Sequence, residues 1–314
     1  MLTWLKRLVA LSSLALVAAC GGGDDDPAPA PAVKNVVEVA QANPDFSILV
    51  EAVVAADLVS TLSGPGPFTV FAPTNAAFAS LLTELGLSKA QLLADKPLLT
   101  AVLTYHVLPV RVFKAGVPLG SPITTVQGNI FKVEEAGTAL VITDGRNRRS
   151  NIVTTDIKAN NGIIHAVDKV LLPPDKNIVQ TAQALPDFSI LVEAVVAANL
   201  AGTLSGPGPF TVFAPTNAAF AALLPELGVT KAQLLANTAL LTKVLTYHVV
   251  PSRVLKAQVP VGTPITTVEG ETFSVSAALA ITDKRGRISN ITATDVLTSN
   301  GVIHVVDKVI LPAP

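Results

Sequence analysis

The apolar positions of the chain predict helices first and strands afterwards. Residues 35–62 carry apolar side chains at helical spacing, interrupted near Pro44, which predicts two helices. Residues 68–71 are aromatic and β-branched and predict a strand, and residues 89–109 predict two further helical segments. Short strands are expected at 130–133, 140–142, 152–157 and 163–171. Helices followed by strands indicate an α+β fold, with antiparallel strands packed into a sheet or sandwich.

The same order of elements occurs twice in the chain. GPGPFTVFAPTNAAFA at residues 64–79 recurs without change at residues 206–221, an offset of 142. The offset falls to 139 beyond Asp144, because the first copy has three extra residues near 134–138. A period of this length is a whole domain rather than a solenoid repeat. The sequence therefore predicts two tandem domains, at residues 34–174 and 175–314.

The phenylalanines support the duplication, because ten of the eleven fall into pairs under these offsets. The pairs are 46/188, 68/210, 71/213, 78/220 and 131/273. Phe113 is the exception and corresponds to Leu255. Large apolar side chains at matched positions predict two copies of one core. Only residues 174–176 join the copies, which predicts a limited set of angles between them.

The amino terminus predicts export and a lipid anchor. Lys6 and Arg7 precede an uncharged run at residues 8–19 that is too short to span a membrane as a helix. The run ends in LVAAC, so residues 1–19 resemble the signal peptide of a bacterial lipoprotein, with lipid attached to Cys20. An ordinary cleaved signal followed by a chance cysteine is the alternative.

The predicted signal is followed by a short tether. Residues 20–33 contain GGGDDDPAPAPA, a composition typical of a flexible linker. The resemblance to lipoproteins implies a secreted protein held on a membrane, and Gly21 beside the lipidated position favours the outer membrane, on its periplasmic side or at the cell surface.

Charge and cysteine content exclude several other functions. The net charge is −1 and only 14% of residues are charged, so no basic excess is present to bind nucleic acid. The single cysteine excludes an internal disulfide.

Little in the sequence indicates catalysis, a cofactor or a metal. The four histidines are His106, His165, His248 and His304, without the close spacing that metal ligands need. His165 and Asp168 point to opposite faces of their predicted strand, so they cannot form an orienting pair for a general base. His165 and His304 are expected in or near the core, satisfied by hydrogen bonds. We expect no catalytic, cofactor or metal site.

Three motifs in order identify a family. GPFTVFAPTNAAF, then a Tyr-His dipeptide, then NGIIHAVDKVLLP at residues 161–173 resemble the fasciclin domain, and both copies carry the set. The resemblance implies a β-sandwich-like wedge with helices packed beside it. It also implies extracellular adhesion to matrix or surface sugars without catalysis. Ala76 and Ala218 stand where family members often carry an acidic residue, which argues against a contact at that helix end.

Two sets of residues are candidates for binding. The first set is Tyr105, His106, Tyr247 and His248, a dipeptide that the fasciclin resemblance associates with receptor contact. The alternative for this set is structural, with a packed ring and a hydroxyl bonded to backbone. The second set lies at two predicted hairpin tips and consists of Arg146, Arg148 and Arg149 in one copy and Lys284, Arg285 and Arg287 in the other. These cations predict either a solvated turn or a docking point for phosphate or an anionic sugar.

The sequence thus predicts a non-catalytic adhesion protein of the bacterial envelope. Its expected partners are the membrane, through lipid on Cys20, and surface polysaccharide or envelope and matrix proteins. The alternative is a periplasmic binding module that holds a small or lipid-like ligand in an apolar groove between helices and sheet.

Overall fold

A computed structural model describes residues 33–314, of which residues 34–314 form one compact unit. The predicted signal peptide, Cys20 and nearly all of the predicted tether lie outside the described residues. We call residues 34–174 the first repeat and residues 175–314 the second repeat.

The helices of the two repeats correspond one to one. Those of the first repeat are α1 (Val36–Gln41), α2 (Ser47–Ala55), α3 (Val59–Leu62), α4 (Asn75–Leu85), α5 (Lys89–Ala94) and α6 (Lys96–Tyr105). Those of the second are α7 (Ile178–Gln183), α8 (Ser189–Ala197), α9 (Ala201–Leu204), α10 (Asn217–Leu227), α11 (Lys231–Ala236) and α12 (Thr238–Tyr247). The interruption predicted at Pro44 is a short 3₁₀ helix between α1 and α2, and α3 is a further helix that the sequence pattern did not separate.

The strands also correspond. Those of the first repeat are β1 (Phe68–Pro73), β2 (Val107–Leu108), β3 (Ile123–Thr124), β4 (Ile130–Ala136), β5 (Ala139–Thr143), β6 (Arg149–Ala159) and β7 (Gly162–Val167). Those of the second are β8 (Phe210–Pro215), β9 (Val249–Val250), β10 (Ile265–Thr266), β11 (Thr272–Val275), β12 (Ala280–Thr282), β13 (Ile288–Thr298) and β14 (Gly301–Val306). The three extra residues of the first copy fall in the β4–β5 hairpin, which is longer than the β11–β12 hairpin.

Each repeat has one seven-stranded sheet, in the order β2-β1-β7-β6-β5-β4-β3 for the first and the equivalent order for the second. The prediction of an antiparallel sheet is wrong at one pairing in each repeat. β1 runs parallel to β7, with Phe71 opposite His165, and β8 runs parallel to β14. Alternation of side chains predicts a strand but not the direction in which it pairs. The direction of β1 relative to β7 depends on the path of the helices and five strands that separate them along the chain.

The sheet and helices enclose two apolar layers in each repeat, which gives the wedge that the resemblance implied. In the first repeat, one layer lies between helices and sheet and contains Phe46, Phe78 and Ile164. The other lies within the bent sheet and contains Phe71 and Phe131, whose rings meet edge to face at 5.1 Å. The paired phenylalanines 46/188, 71/213, 78/220 and 131/273 are buried, and 68/210 are half-buried.

The identical stretch at residues 64–79 is required for backbone packing. Gly66 has a φ of +59°, and a Cβ there would lie 2.2 Å from the carbonyl oxygen of Asn161. The Asn161 amide donates to the carbonyls of Leu62 and Gly64 at 2.8 and 2.7 Å, and its Oδ1 accepts from the Val36 backbone N–H at 2.9 Å. The turn before β1 and the turn before β7 therefore fix each other. Gly208 and Asn300 repeat the arrangement.

Candidate functional site

The two tyrosines lie in the protein interior at the ends of α6 and α12. Tyr105 and Tyr247 are both 0% exposed. The Tyr105 hydroxyl donates to the Ile130 carbonyl at 2.6 Å, and the Tyr247 hydroxyl donates to the Thr272 carbonyl at 2.9 Å. Burial raises the pKa of both phenols, which keeps them neutral. Both rings are thus packed in the interior with the hydroxyl bonded to backbone, the arrangement that the structural alternative describes.

The two histidines that follow the tyrosines are also buried. His106 Nδ1 lies 2.7 Å from the Val102 carbonyl, and its Nε2 accepts from the Leu171 backbone N–H at 2.8 Å. His248 makes the equivalent pair of bonds with Val244 and Ile310. Because Nε2 accepts, Nδ1 carries the proton and the ring is neutral. Burial lowers the pKa of His106 and of His248 to about 4.

The remaining histidines support an unusual backbone conformation. His165 and His304 are 0% exposed, as expected for core residues. Their Nδ1 atoms accept from the backbone N–H groups of Asp156 and Asp295, both of which have a φ of +61°. Asp168 instead bonds Ser150 and Asn151, so His165 and Asp168 do not form a catalytic pair.

The basic residues do lie at hairpin tips, between β5 and β6 and between β12 and β13. Two of them hold their own repeat together. Arg148 donates to Asp144 at 2.9 and 3.0 Å and to Glu84 of α4 at 2.8 Å. Arg287 donates to Glu226 of α10 at 2.6 Å and to the Val309 carbonyl. These two side chains link the hairpin to a helix, and their charge is already compensated.

The other cations of the tips are more available to a ligand. The exposed residues among them are Arg149, Lys284 and Arg285. Arg285 Nε donates to the Pro312 carbonyl at 3.0 Å. Arg146 is half-buried and lies 3.4 Å from Asp175, a long distance for an ion pair.

Sequence reasoning missed a polar contact between the repeats. Lys132 Nζ of β4 lies 2.9 Å from Asp295 Oδ2 of β13, and Glu134 lies 3.0 Å from the same Nζ. Beside this pair, an apolar cluster contains Ile130 of the first repeat and Leu255, Leu297 and Val302 of the second. Differences between the two copies could have indicated this contact. Lys132 corresponds to Ser274, and the buried Leu255 corresponds to Phe113, which is 43% exposed.

The apolar space between helices and sheet is small. In the first repeat it is a cavity of about 30 Å³ lined by Val36, Val53, Leu103 and His106, and the second repeat has a cavity of the same size. Ligand sites typically occupy about 300–1,000 Å³. These two cavities are far smaller than that.

Within residues 33–314, no group of three or more His, Cys, Asp or Glu side chains is arranged to hold a metal ion. None of the helices in this range is both long enough and apolar enough to cross a membrane.

The fold and these side chains define a class of protein: a duplicated α+β scaffold in which tyrosines and histidines serve the protein's own backbone. The profile of the "Fasciclin domain" family matches residues 44–173 and 186–312. The chain belongs to the fasciclin domain family.

Relatives occur in animals and bacteria. The chain is 32% identical over 254 residues to the "Transforming growth factor-beta-induced protein ig-h3" of Sus scrofa, which covers 80% of this chain and 35% of that protein. It thus spans about a third of the length of this relative. It is 43% identical over 142 residues to "Protein sll1483" of Synechocystis, which covers 44% of this chain and 73% of that protein.

A solved structure of a FAS1 domain pair from the insect cell adhesion molecule Fasciclin I is also similar. It covers 87% of this chain and 95% of the solved chain, with a TM-score of 0.43 and 19% identity.

Proposed function

We propose that this protein is a non-catalytic binding protein of the bacterial cell envelope, which attaches the cell to surface polysaccharide or matrix. One observation carries the proposal. The tyrosines and histidines of residues 33–314 are buried and bonded to backbone, whereas cations at the hairpin tips face solvent. A surface that binds but does not react fits adhesion, which the family resemblance also implies.

The exposed cations of the tips are the proposed contact for anionic sugar. Arg149 and Lys284 have no ion-pair partner among the described residues. We expect the double variant R149S/K284S to elute earlier than the wild type from a column of immobilised alginate. The variant K89S/K231S is the matched control, since it removes the same charge from exposed ion pairs on α5 and α11. Equal retention of the wild type and R149S/K284S would refute this contact.

The anchor is proposed on Cys20, in the lipoprotein-like motif outside the described residues. Lipid on this cysteine would hold the protein at the outer membrane. We expect the Cys20→Ser variant to move from the membrane pellet to the aqueous supernatant after cell lysis. A C20S variant that still pellets with membranes would rule out the anchor while leaving the binding function untouched.

Ligand storage is the weaker candidate. The internal cavities of about 30 Å³ are far below the volume of a small-molecule site. Native mass spectrometry of the purified protein should therefore give the mass of the polypeptide with its proposed Cys20 lipid and no further ligand.

A further inference from the structure

An open groove lies where the two repeats meet. It runs between the β5–β6 hairpin tip of the first repeat and α7 of the second, and has a volume of about 450 Å³. Arg146, Asp175 and Lys176 give it polar walls, and Leu185 and Val296 give it apolar ones. Its volume is within the range of small-molecule sites, unlike the two internal cavities.

One buried donor in this groove has no partner. Arg146 Nε is inaccessible to solvent and makes no hydrogen bond within residues 33–314. The other buried Nε of this kind is that of Arg253, which does not line the groove. Burial of an unpaired donor is unfavourable, so the protein itself does not fully satisfy this side chain. The neighbouring Asp175 lies 3.4 Å from an Nη atom of Arg146, longer than the usual distance in a charge-assisted bond.

In the second repeat the equivalent arginine has an acceptor for its Nε within the protein. Arg285 is the residue equivalent to Arg146 under the offset of 139, and its Nε donates to the Pro312 carbonyl at 3.0 Å. Pro173 is the equivalent of Pro312 in the first repeat, and Arg146 makes no such bond to it. The Nε at this position thus has an internal acceptor in the second repeat and none in the first, where the arginine lines the groove.

The other residues of the groove indicate which chemical groups a ligand there would carry. A guanidinium binds planar carboxylates through parallel N–H donors, and the Lys176 ammonium adds a second positive charge. Leu185 is 40% exposed and offers an aliphatic surface to the C–H face of a sugar ring. Asn147 fixes the hairpin to β13, since its Oδ1 accepts from the Leu297 N–H at 2.7 Å and its Nδ2 donates to the Leu297 carbonyl at 3.1 Å.

We propose that this groove binds a uronic acid unit of an acidic polysaccharide, with the sugar carboxylate on Arg146 and its ring against Leu185. The proposal rests on the polysaccharide-binding function proposed above and adds a carboxylate site to the exposed cations Arg149 and Lys284. In the bound state Nη2 of Arg146 exchanges its long contact with Asp175 for the carboxylate of the sugar.

The test is titration of the mature chain with a tetramer of mannuronate, followed by calorimetry and by NMR. We expect the backbone amides of Thr181, Leu185 and Val296, all in the groove, to shift on binding. R146Q should weaken binding at least tenfold. K89Q removes the same charge from an exposed ion pair on α5 and should alter affinity less than twofold. A neutral glucose tetramer should not bind.

The possible outcomes distinguish failure of the proposed groove site from failure of the proposed polysaccharide-binding function. If R146Q and K89Q lose affinity equally, or the shifted amides lie outside the groove, the groove is not the site. If the wild type is retained on alginate but does not bind the tetramer, the groove proposal fails while polysaccharide binding stands. If the wild type does neither, both fail. Thermal unfolding of R146Q and K89Q shows that the variants are folded, and the amide shifts of the wild type decide independently of any variant.

Discussion

Nζ of Lys132 and Oδ2 of Asp295 lie 2.9 Å apart and join the first repeat to the second, with side chains that are only 8% and 2% exposed. Asp295 is itself held in place, because its Oδ1 accepts from the Lys256 backbone N–H at 2.7 Å. In the first repeat Asp156 makes the same bond to the Lys114 N–H at 2.8 Å, and no cation lies within ion-pair distance of it among residues 33–314. The pair is therefore specific to the junction.

Breaking this pair should destabilise the protein through the unpaired charge. Asp295→Asn keeps an acceptor for Lys256 but leaves Lys132 with Glu134 alone, so we expect a loss of about 3–5 kcal/mol in unfolding free energy. Asp156→Asn is the matched control and should cost under about 1 kcal/mol. Urea unfolding of both variants measures the difference. Similar losses for the two would mean that the buried pair is not what stabilises the junction.

The two glycines Gly66 and Gly86 separate the effect of packing from that of backbone strain. Both have positive φ, +59° and +65°, but a Cβ at Gly86 would meet no atom within 4 Å. Gly86→Ala should therefore cost about 1–2 kcal/mol from strain alone. Gly66→Ala adds a clash with the Asn161 carbonyl and should cost about 2–5 kcal/mol. The prediction is checked by chemical denaturation, and it is wrong if Gly66→Ala costs no more than Gly86→Ala.

The core prediction concerns Phe71, which is 1% exposed and packs on the ring of Phe131. Phe71→Ala should lower the unfolding free energy by about 3–5 kcal/mol, because it removes a buried ring and leaves a cavity. Phe113→Ala removes the same group from a residue that is 43% exposed and should cost under about 1 kcal/mol. Calorimetric melting of the two variants gives the comparison. A Phe71→Ala variant that melts with the wild type would contradict the burial of this ring.

The buried histidines predict a dependence of stability on pH. The pKa of His106 and of His248 is about 4 in the folded protein, against an ordinary value of about 6.5 when unfolded. Between these values the unfolded chain binds more protons, so stability should fall as pH falls from 6.5 to 4. Each histidine contributes up to about 1.4 kcal/mol per pH unit in this window and nothing above it. Burial lowers the pKa of His304 as well, which acts in the same direction.

Denaturation at several pH values measures this slope, and NMR of the imidazole protons identifies the groups. The resonances of His106 and His248 should not titrate near pH 6.5 in the folded protein. If either one does, the buried and neutral state assigned to it is incorrect.

Much of the fold could be predicted because the same order of helices and strands occurs twice in the chain. The structure agrees with three features of the sequence. These are the identical residues at 64–79 and 206–221, the paired phenylalanines and the position of the three extra residues. The direction of β1 against β7 could not be predicted, because a short apolar strand looks the same whichever way it runs.

The candidate site was predicted only in outline. The positions of the hairpin tips and of the Tyr-His dipeptides at helix ends were read correctly. The sequence did not show which of these cations are paired, because Arg148 meets Glu84 and Arg146 meets Asp175 only in the folded chain. The roles of equivalent residues such as Arg146 and Arg285 differ only because the surrounding chain differs.

The sequence by itself determined that a single α+β unit is repeated, where its turns fall and which phenylalanines fill its core. These features follow from local backbone preferences and from the period of apolar side chains, both of which can be read from the sequence. Only the tertiary structure decided that Lys132 meets Asp295, that the tyrosines turn inward and that a groove forms at the junction. Those outcomes depend on contacts between residues far apart in sequence, whose charge, burial and distance are set by how the layers pack.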